Sequence, residues 1–169
     1  MKKVLLLALL AFIAFPKANA QENVIKFNPL ALIVGEIQVG YERVLSDNQS
    51  IQVDLAYASF DSGAYDYTGF GAGLQYRFYF QKSKSAPVGW FAGPVASYSS
   101  ATSDGFDGDL KTTFFVAGGV IGYQWNWNPI TLDIYGGPAY YNVNADDDTF
   151  DFGFDGFGAK LGVSLGFSF

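Results

Sequence analysis

The 169-residue chain contains no cysteine and no histidine. Without them there is no Ser-His-Asp triad, no thiol nucleophile and no ordinary zinc site. A disulfide framework and a lipid-modified N-terminal cysteine are excluded as well. Charge is sparse, at 15% of residues, and biased to a net -6, which argues against a nucleic-acid partner. Beyond residue 20 no apolar run approaches the 18 residues of a transmembrane helix, and no helical period appears. What the chain does have is 50% hydrophobic residues, 20 glycines and 18% aromatics, a composition that excludes disorder.

The N-terminus carries Lys2 and Lys3, then the apolar stretch 4–15, then Ala18-Asn19-Ala20. A basic start, a short apolar segment and a small-x-small site are the marks of a secretory signal peptide, so residues 1–20 are expected to be removed. The mature part, 21–169, then loses Lys2, Lys3 and Lys17 and holds 7 basic against 16 acidic residues. One domain is expected from a chain of this length.

Apolar residues in the mature part alternate with small or polar ones. Ile51-Gln52-Val53-Asp54-Leu55-Ala56-Tyr57 shows the pattern, and Leu161-Gly162-Val163-Ser164-Leu165-Gly166-Phe167-Ser168-Phe169 keeps it to the last residue. Period two means strand. Turn signals divide the chain into eight runs, at 24–34, 36–45, 50–60, 68–80, 88–99, 111–127, 130–143 and 156–169. Each reaches the roughly 9–11 residues that a strand needs to cross a bilayer. Connections alternate between short ones, tight at 46–49 and 128–129 and moderate at 81–87, and mostly longer segments at 61–67, 101–110 and 144–155; only the Gly35 turn breaks that order. The expectation is an all-β fold, an eight-stranded antiparallel up-and-down transmembrane β-barrel with both termini in the periplasm.

The two faces of the runs differ. One carries Gln52, Asp54, Ala56, Gly71, Gly73, Gln75, Arg77, Lys160, Gly162 and Ser164; the other is continuously apolar. A soluble barrel would turn the bulky apolar face inward, whereas a membrane barrel turns it to lipid. Aromatics collect at one end: Tyr41, Tyr76, Phe78, Phe80, Trp125, Trp127, Phe167 and Phe169 would form a periplasmic girdle.

The leader, the eight amphipathic runs and the ending Gly166-Phe167-Ser168-Phe169 resemble small outer-membrane barrels of the OmpX and OmpA-barrel type. Phe27-Asn28-Pro29-Leu30 together with Gly40-Tyr41-Glu42-Arg43 resembles an uncharacterised family of such barrels with no assigned activity. The resemblance implies location in the outer membrane of a Gram-negative bacterium. It also implies that Phe169 belongs to the signal read by the outer-membrane assembly machinery.

By parity, Lys26, Glu42, Asp54, Arg77, Asp133 and Lys160 point into the lumen, three of each sign. Glu42, Asp54, Arg77 and Asp133 lie a few residues from the periplasmic turns and are expected at one level, with Arg77 paired to at least one carboxylate. Such a set could be a selectivity ring, but in so narrow a barrel a salt-bridge network that closes the lumen is the favoured reading. Tyr79, Tyr135 and Tyr141 should narrow the lumen further.

The predicted loops are acidic. Asp146, Asp147, Asp148, Asp151 and Asp155 form the densest cluster, a weak candidate for a divalent cation because the spacing is not that of an EF-hand loop. Phe150, Phe152, Phe154 and Phe157 between them are expected to extend the last hairpin as a ribbon. No cofactor and no enzymatic activity are expected. The expected role is structural or surface-interacting: a monomer among outer-membrane lipids and lipopolysaccharide, supporting envelope integrity or adhesion, with a surface ligand or protein partner. A narrow channel and a lipid-modifying enzyme are the alternatives.

Overall fold

The computed structural model describes residues 23–61, 66–81, 83–105, 108–146 and 151–169; the predicted leader and Asp147, Asp148 and Phe150 lie outside them. Eight strands follow one another: β1 Asn23–Phe27, β2 Glu36–Ser46, β3 Gln49–Asp61, β4 Asp66–Tyr79, β5 Gly89–Gly105, β6 Gly108–Asn126, β7 Ile130–Asp146 and β8 Asp151–Ser168. Each pairs antiparallel with its sequence neighbours, and β1 pairs with β8, so the sheet closes into a barrel. Among the described residues there is no α-helix, and one 3-10 turn, Ala31–Val34, links β1 to β2.

Alternation in the sequence becomes alternation in burial. On β4, Gly69, Gly71, Gln75, Arg77 and Tyr79 are buried, while Phe70, Leu74 and Phe78 between them are exposed. The barrel is polar within and apolar without: its largest buried side chains include Arg77, Lys26, Gln52, Gln75, Gln124 and Glu42, and its outer wall carries Leu55, Leu74, Ile121, Ile134 and Leu165.

The first predicted run, 24–34, is not one strand. β1 stops after five residues at Phe27. Asn28 then accepts the Leu30 amide on its side-chain oxygen at 3.0 Å, an Asx-type turn, and Pro29 has no N–H to continue a ladder. Gly35 ends the 3-10 turn at φ 75, a left-handed conformation that glycine adopts without strain.

One predicted loop is strand instead, and the last hairpin extends as a ribbon as its aromatics imply. Segment 101–110 forms the outer ends of β5 and β6, which pair up to Gly105 and Gly108. Segment 144–155 lies largely in β7 and β8, which pair up to Asp146 and Asp151. Ladder hydrogen bonds need no apolar side chain, so an acidic, serine-rich ribbon can be fully paired. At roughly 3.3 Å per residue, β6 is about 60 Å long and β2 about 35 Å. The β5–β8 half of the barrel therefore rises well above the β1–β4 half.

Candidate functional site: a two-tier lumen

The lower tier, at the end bearing both described termini, is an ion-pair quartet. Lys26 Nζ lies 2.6 Å from Glu42 Oε2 and also pairs with Asp133. Arg77 Nη1 lies 3.2 Å from Asp133 Oδ2 and 3.6 Å from Glu42 Oε2. Two cations thus face two carboxylates, all four essentially inaccessible to solvent. Neutral groups complete the layer. Gln124 Oε1 accepts from Arg77 Nη1 at 2.8 Å and from Lys26 Nζ at 2.9 Å. Gln75 Oε1 accepts from Arg77 Nε at 2.9 Å. Tyr79 and Ser50 hydroxyls donate to Glu42 Oε1 at 2.7 and 2.5 Å. Buried charges are tolerable only with such pairing and hydrogen bonding.

Aromatic rings roof this layer. The Arg77 guanidinium carbon sits 4.3 Å from the Phe91 ring centre and 5.7 Å from that of Tyr135. Phe91 in turn lies 5.5 Å from Tyr79 and 6.4 Å from Tyr135, centre to centre. Glycine makes the room: a Cβ on Gly122 would come 2.6 Å from Phe91 Cζ, and one on Gly162 would collide with the Tyr135 ring. The quartet and the rings thus pack against one another within the lumen.

Above the roof lies a cavity of about 170 Å³, lined by Glu36, Gln38, Asp54, Ser97, Tyr135 and Lys160 among others. Its chemistry differs from that below. Among the described residues no ion pair joins Lys160, Glu36 or Asp54 to anything. Asp54 accepts a hydrogen bond from Gln52 Nε2 at 2.7 Å.

The predicted inward charges all reach the lumen, but not at one level. Arg77 meets two of the three named carboxylates, Glu42 and Asp133. Asp54 stands higher, because the register sets Ser50 opposite Arg77 and Gly73 opposite Asp54. Distance from the nearest turn is a poor measure of height when strands tilt. Lys160 also stands in the upper tier. Gln124, Phe91 and Glu36 were not singled out from the sequence. Parity along the runs that hold Gln124 and Phe91 marks both as inward, and Glu36 begins a run whose Gln38 and Gly40 share its face.

Elsewhere, of the eight predicted girdle aromatics Phe78, Phe80, Trp127, Phe167 and Phe169 are exposed and Tyr41, Tyr76 and Trp125 half-buried, near the end bearing the described termini, where exposed Trp90 and half-buried Tyr123 join them. Tyr123 packs 4.6 Å from Trp125 and 5.3 Å from Trp90, and Trp125 stacks on Trp127 at 6.5 Å. Phe169 is held by reciprocal backbone hydrogen bonds with Asn23, at 2.9 and 3.3 Å. Tyr141 donates to the Ala159 carbonyl at 2.9 Å. Of the acidic cluster, Asp146 and Asp151 are opposed in the last register pair of β7 and β8. Asp155 accepts from the Tyr140 hydroxyl at 2.9 Å. Among the described residues no group of three carboxylates could hold a metal ion.

The fold defines the class: an all-β, eight-stranded antiparallel closed barrel with polar side chains inside and apolar ones outside. The chain belongs to the family described as "Protein of unknown function (DUF3575)", whose match spans residues 4–146. No curated protein and no solved structure matches it.

Proposed function

We propose that this chain is an outer-membrane β-barrel of a Gram-negative bacterium, delivered by its signal peptide. It serves the envelope as a structural or surface-interacting element, and is neither a pore nor a catalyst. The observation that carries this reading is the inverted distribution of polarity. Arg77, Lys26, Glu42 and Asp133 are sealed inside while large aliphatic and aromatic side chains cover the outside. Water would penalise such a wall and lipid favours it. The outward Tyr and Trp ring then marks the periplasmic interface, and the tall β5–β8 half stands out of the roughly 25 Å apolar band as the part met by a surface ligand or protein partner. Lipids and lipopolysaccharide surround a monomer in this account.

Membrane fractionation tests the reading. The mature chain should sediment with outer membranes and migrate differently on gels before and after heating, as a closed barrel resists detergent. Recovery from the soluble periplasm would contradict it. Phe169→Ser should lower the inserted fraction while export continues, if the terminal ring is read by the assembly machinery.

A further inference from the structure

The wall of the barrel is incomplete on one side. β1 pairs with β8 only from Val24 to Phe27, against Ser168 to Leu165. From Ser164 to Asp151, β8 has β7 on one side and no strand on the other among the described residues. β2 is likewise unaccompanied by β1 from Glu36 to Gln38, apart from one backbone bond between Asn28 and Gln38. The 3-10 turn that spans this stretch packs on β2. The most exposed aliphatic side chains of the described wall flank the gap: Leu161 on β8 and Ile33 in the turn are each 79% exposed, against 44–52% for Leu55, Leu74, Ile121 and Ile134. Behind the gap lies the upper cavity, and its charged lining comes from both lips: Glu36 from β2 and Lys160 from β8, with Asp54 behind them.

We propose that this gap is a lateral portal through which the headgroup of an amine-bearing zwitterionic lipid enters the upper lumen. The proposal rests on the membrane reading above. Two carboxylates and one ammonium complement a headgroup that carries an ammonium and a phosphate. The ammonium takes Glu36 and Asp54, and the phosphate takes Lys160. Height fits: Lys160 lies nine residues from Phe169, roughly 22 Å up the barrel for strands tilted by about 40°. That is close to the outer edge of an apolar band about 25 Å tall, where outer-leaflet headgroups reside, so the portal admits an aminophospholipid that has reached that leaflet among the lipopolysaccharide. Size fits too. A cavity of about 170 Å³ is smaller than the roughly 300–1,000 Å³ that enclose whole drug-sized ligands. It therefore takes a headgroup and leaves the chains against Leu161 and Ile33. Backbone groups along the open edge, which hydrocarbon alone could not satisfy, gain polar partners.

The test uses the full mature barrel folded into bilayers containing equal phosphatidylethanolamine and phosphatidylglycerol, extracted in mild detergent and weighed intact by native mass spectrometry. Gel mobility before heating first establishes folding and insertion for every variant. Failure of the wild type to insert would overturn the membrane reading together with the portal. Given insertion, the expected result is one retained phosphatidylethanolamine, favoured over phosphatidylglycerol by about tenfold, the scale of one or two charge-assisted hydrogen bonds. Glu36→Gln combined with Asp54→Asn should abolish the preference, and Lys160→Gln should weaken retention several-fold. Equal retention of both lipids, or an unchanged preference in the double variant, would overturn the portal and leave the barrel intact. So would soluble phosphoethanolamine competing as well as the lipid, which would mean access from the open mouth. A mass corresponding to two chains, or to a chain with a bound polypeptide, would mean strand addition at β8 and would also overturn it.

Discussion

The two tiers of the lumen are built from the same residue types and behave as opposites. Below, Lys26 and Arg77 are locked between Glu42 and Asp133, and Gln75, Gln124, Ser50 and Tyr79 add hydrogen bonds to the same layer. Above, Glu36, Asp54 and Lys160 share a cavity without direct ion pairs. Neighbouring strands explain the difference. The lower layer draws on strands all round a closed wall. In the upper layer β1 has already ended, and Lys160 on β8 and Glu36 on β2 line the cavity from either side of that gap without an ion pair between them. Paired charges in a dry interior stabilise only as a complete set, whereas charges beside an open edge remain available to a ligand.

That contrast is sharpest in stability. Arg77→Met removes one cation from the neutral quartet and leaves Glu42 and Asp133 with Lys26 alone. It should cost on the order of 3–5 kcal/mol, the scale for breaking one side of a buried pair. Lys160→Met should cost under about 1 kcal/mol, as expected for a charge with no direct pair. Urea unfolding midpoints in lipid give both values, and equal losses would erase the distinction between the tiers. Tyr79→Phe is the next largest. It deletes the hydroxyl that donates to Glu42 at 2.7 Å and should cost about 1–3 kcal/mol in the same measurement, because it leaves a buried carboxylate short of a donor. Tyr140→Phe removes a hydrogen bond of similar length, to Asp155, but on an exposed part of the ribbon. It should change stability by no more than about 0.5 kcal/mol. A loss as large as that of Tyr79→Phe would mean that burial does not set the cost.

The lower tier was largely legible in the sequence, and the upper tier was not. Strict alternation fixes which way Glu42, Arg77 and Asp133 point, and a narrow lumen then obliges them to meet. Height is harder, because it depends on strand tilt and on a register running through Gly40, Asp54 and Gly73 that no local signal records. The early end of β1 is not legible because Ala31, Leu32, Ile33 and Val34 look like strand, while the deciding features are Pro29 and the Asn28 side chain. Segment 101–110 does not declare itself as strand because aspartate and serine resemble loop. Outside an apolar belt a strand needs no apolar face, so composition stops reporting structure there. Gln124 was passed over because it is uncharged, although it joins Lys26 to Arg77.

The central claim is that the lower tier closes the lumen, and conductance across a planar bilayer tests it most directly. The folded wild-type barrel, inserted and verified by its gel mobility before heating, should show no discrete current steps across the applied voltages. Stable, reproducible single-channel steps from that same folded barrel would contradict the account, because a continuous water path cannot coexist with a sealed layer of Lys26, Glu42, Arg77, Asp133 and Tyr79.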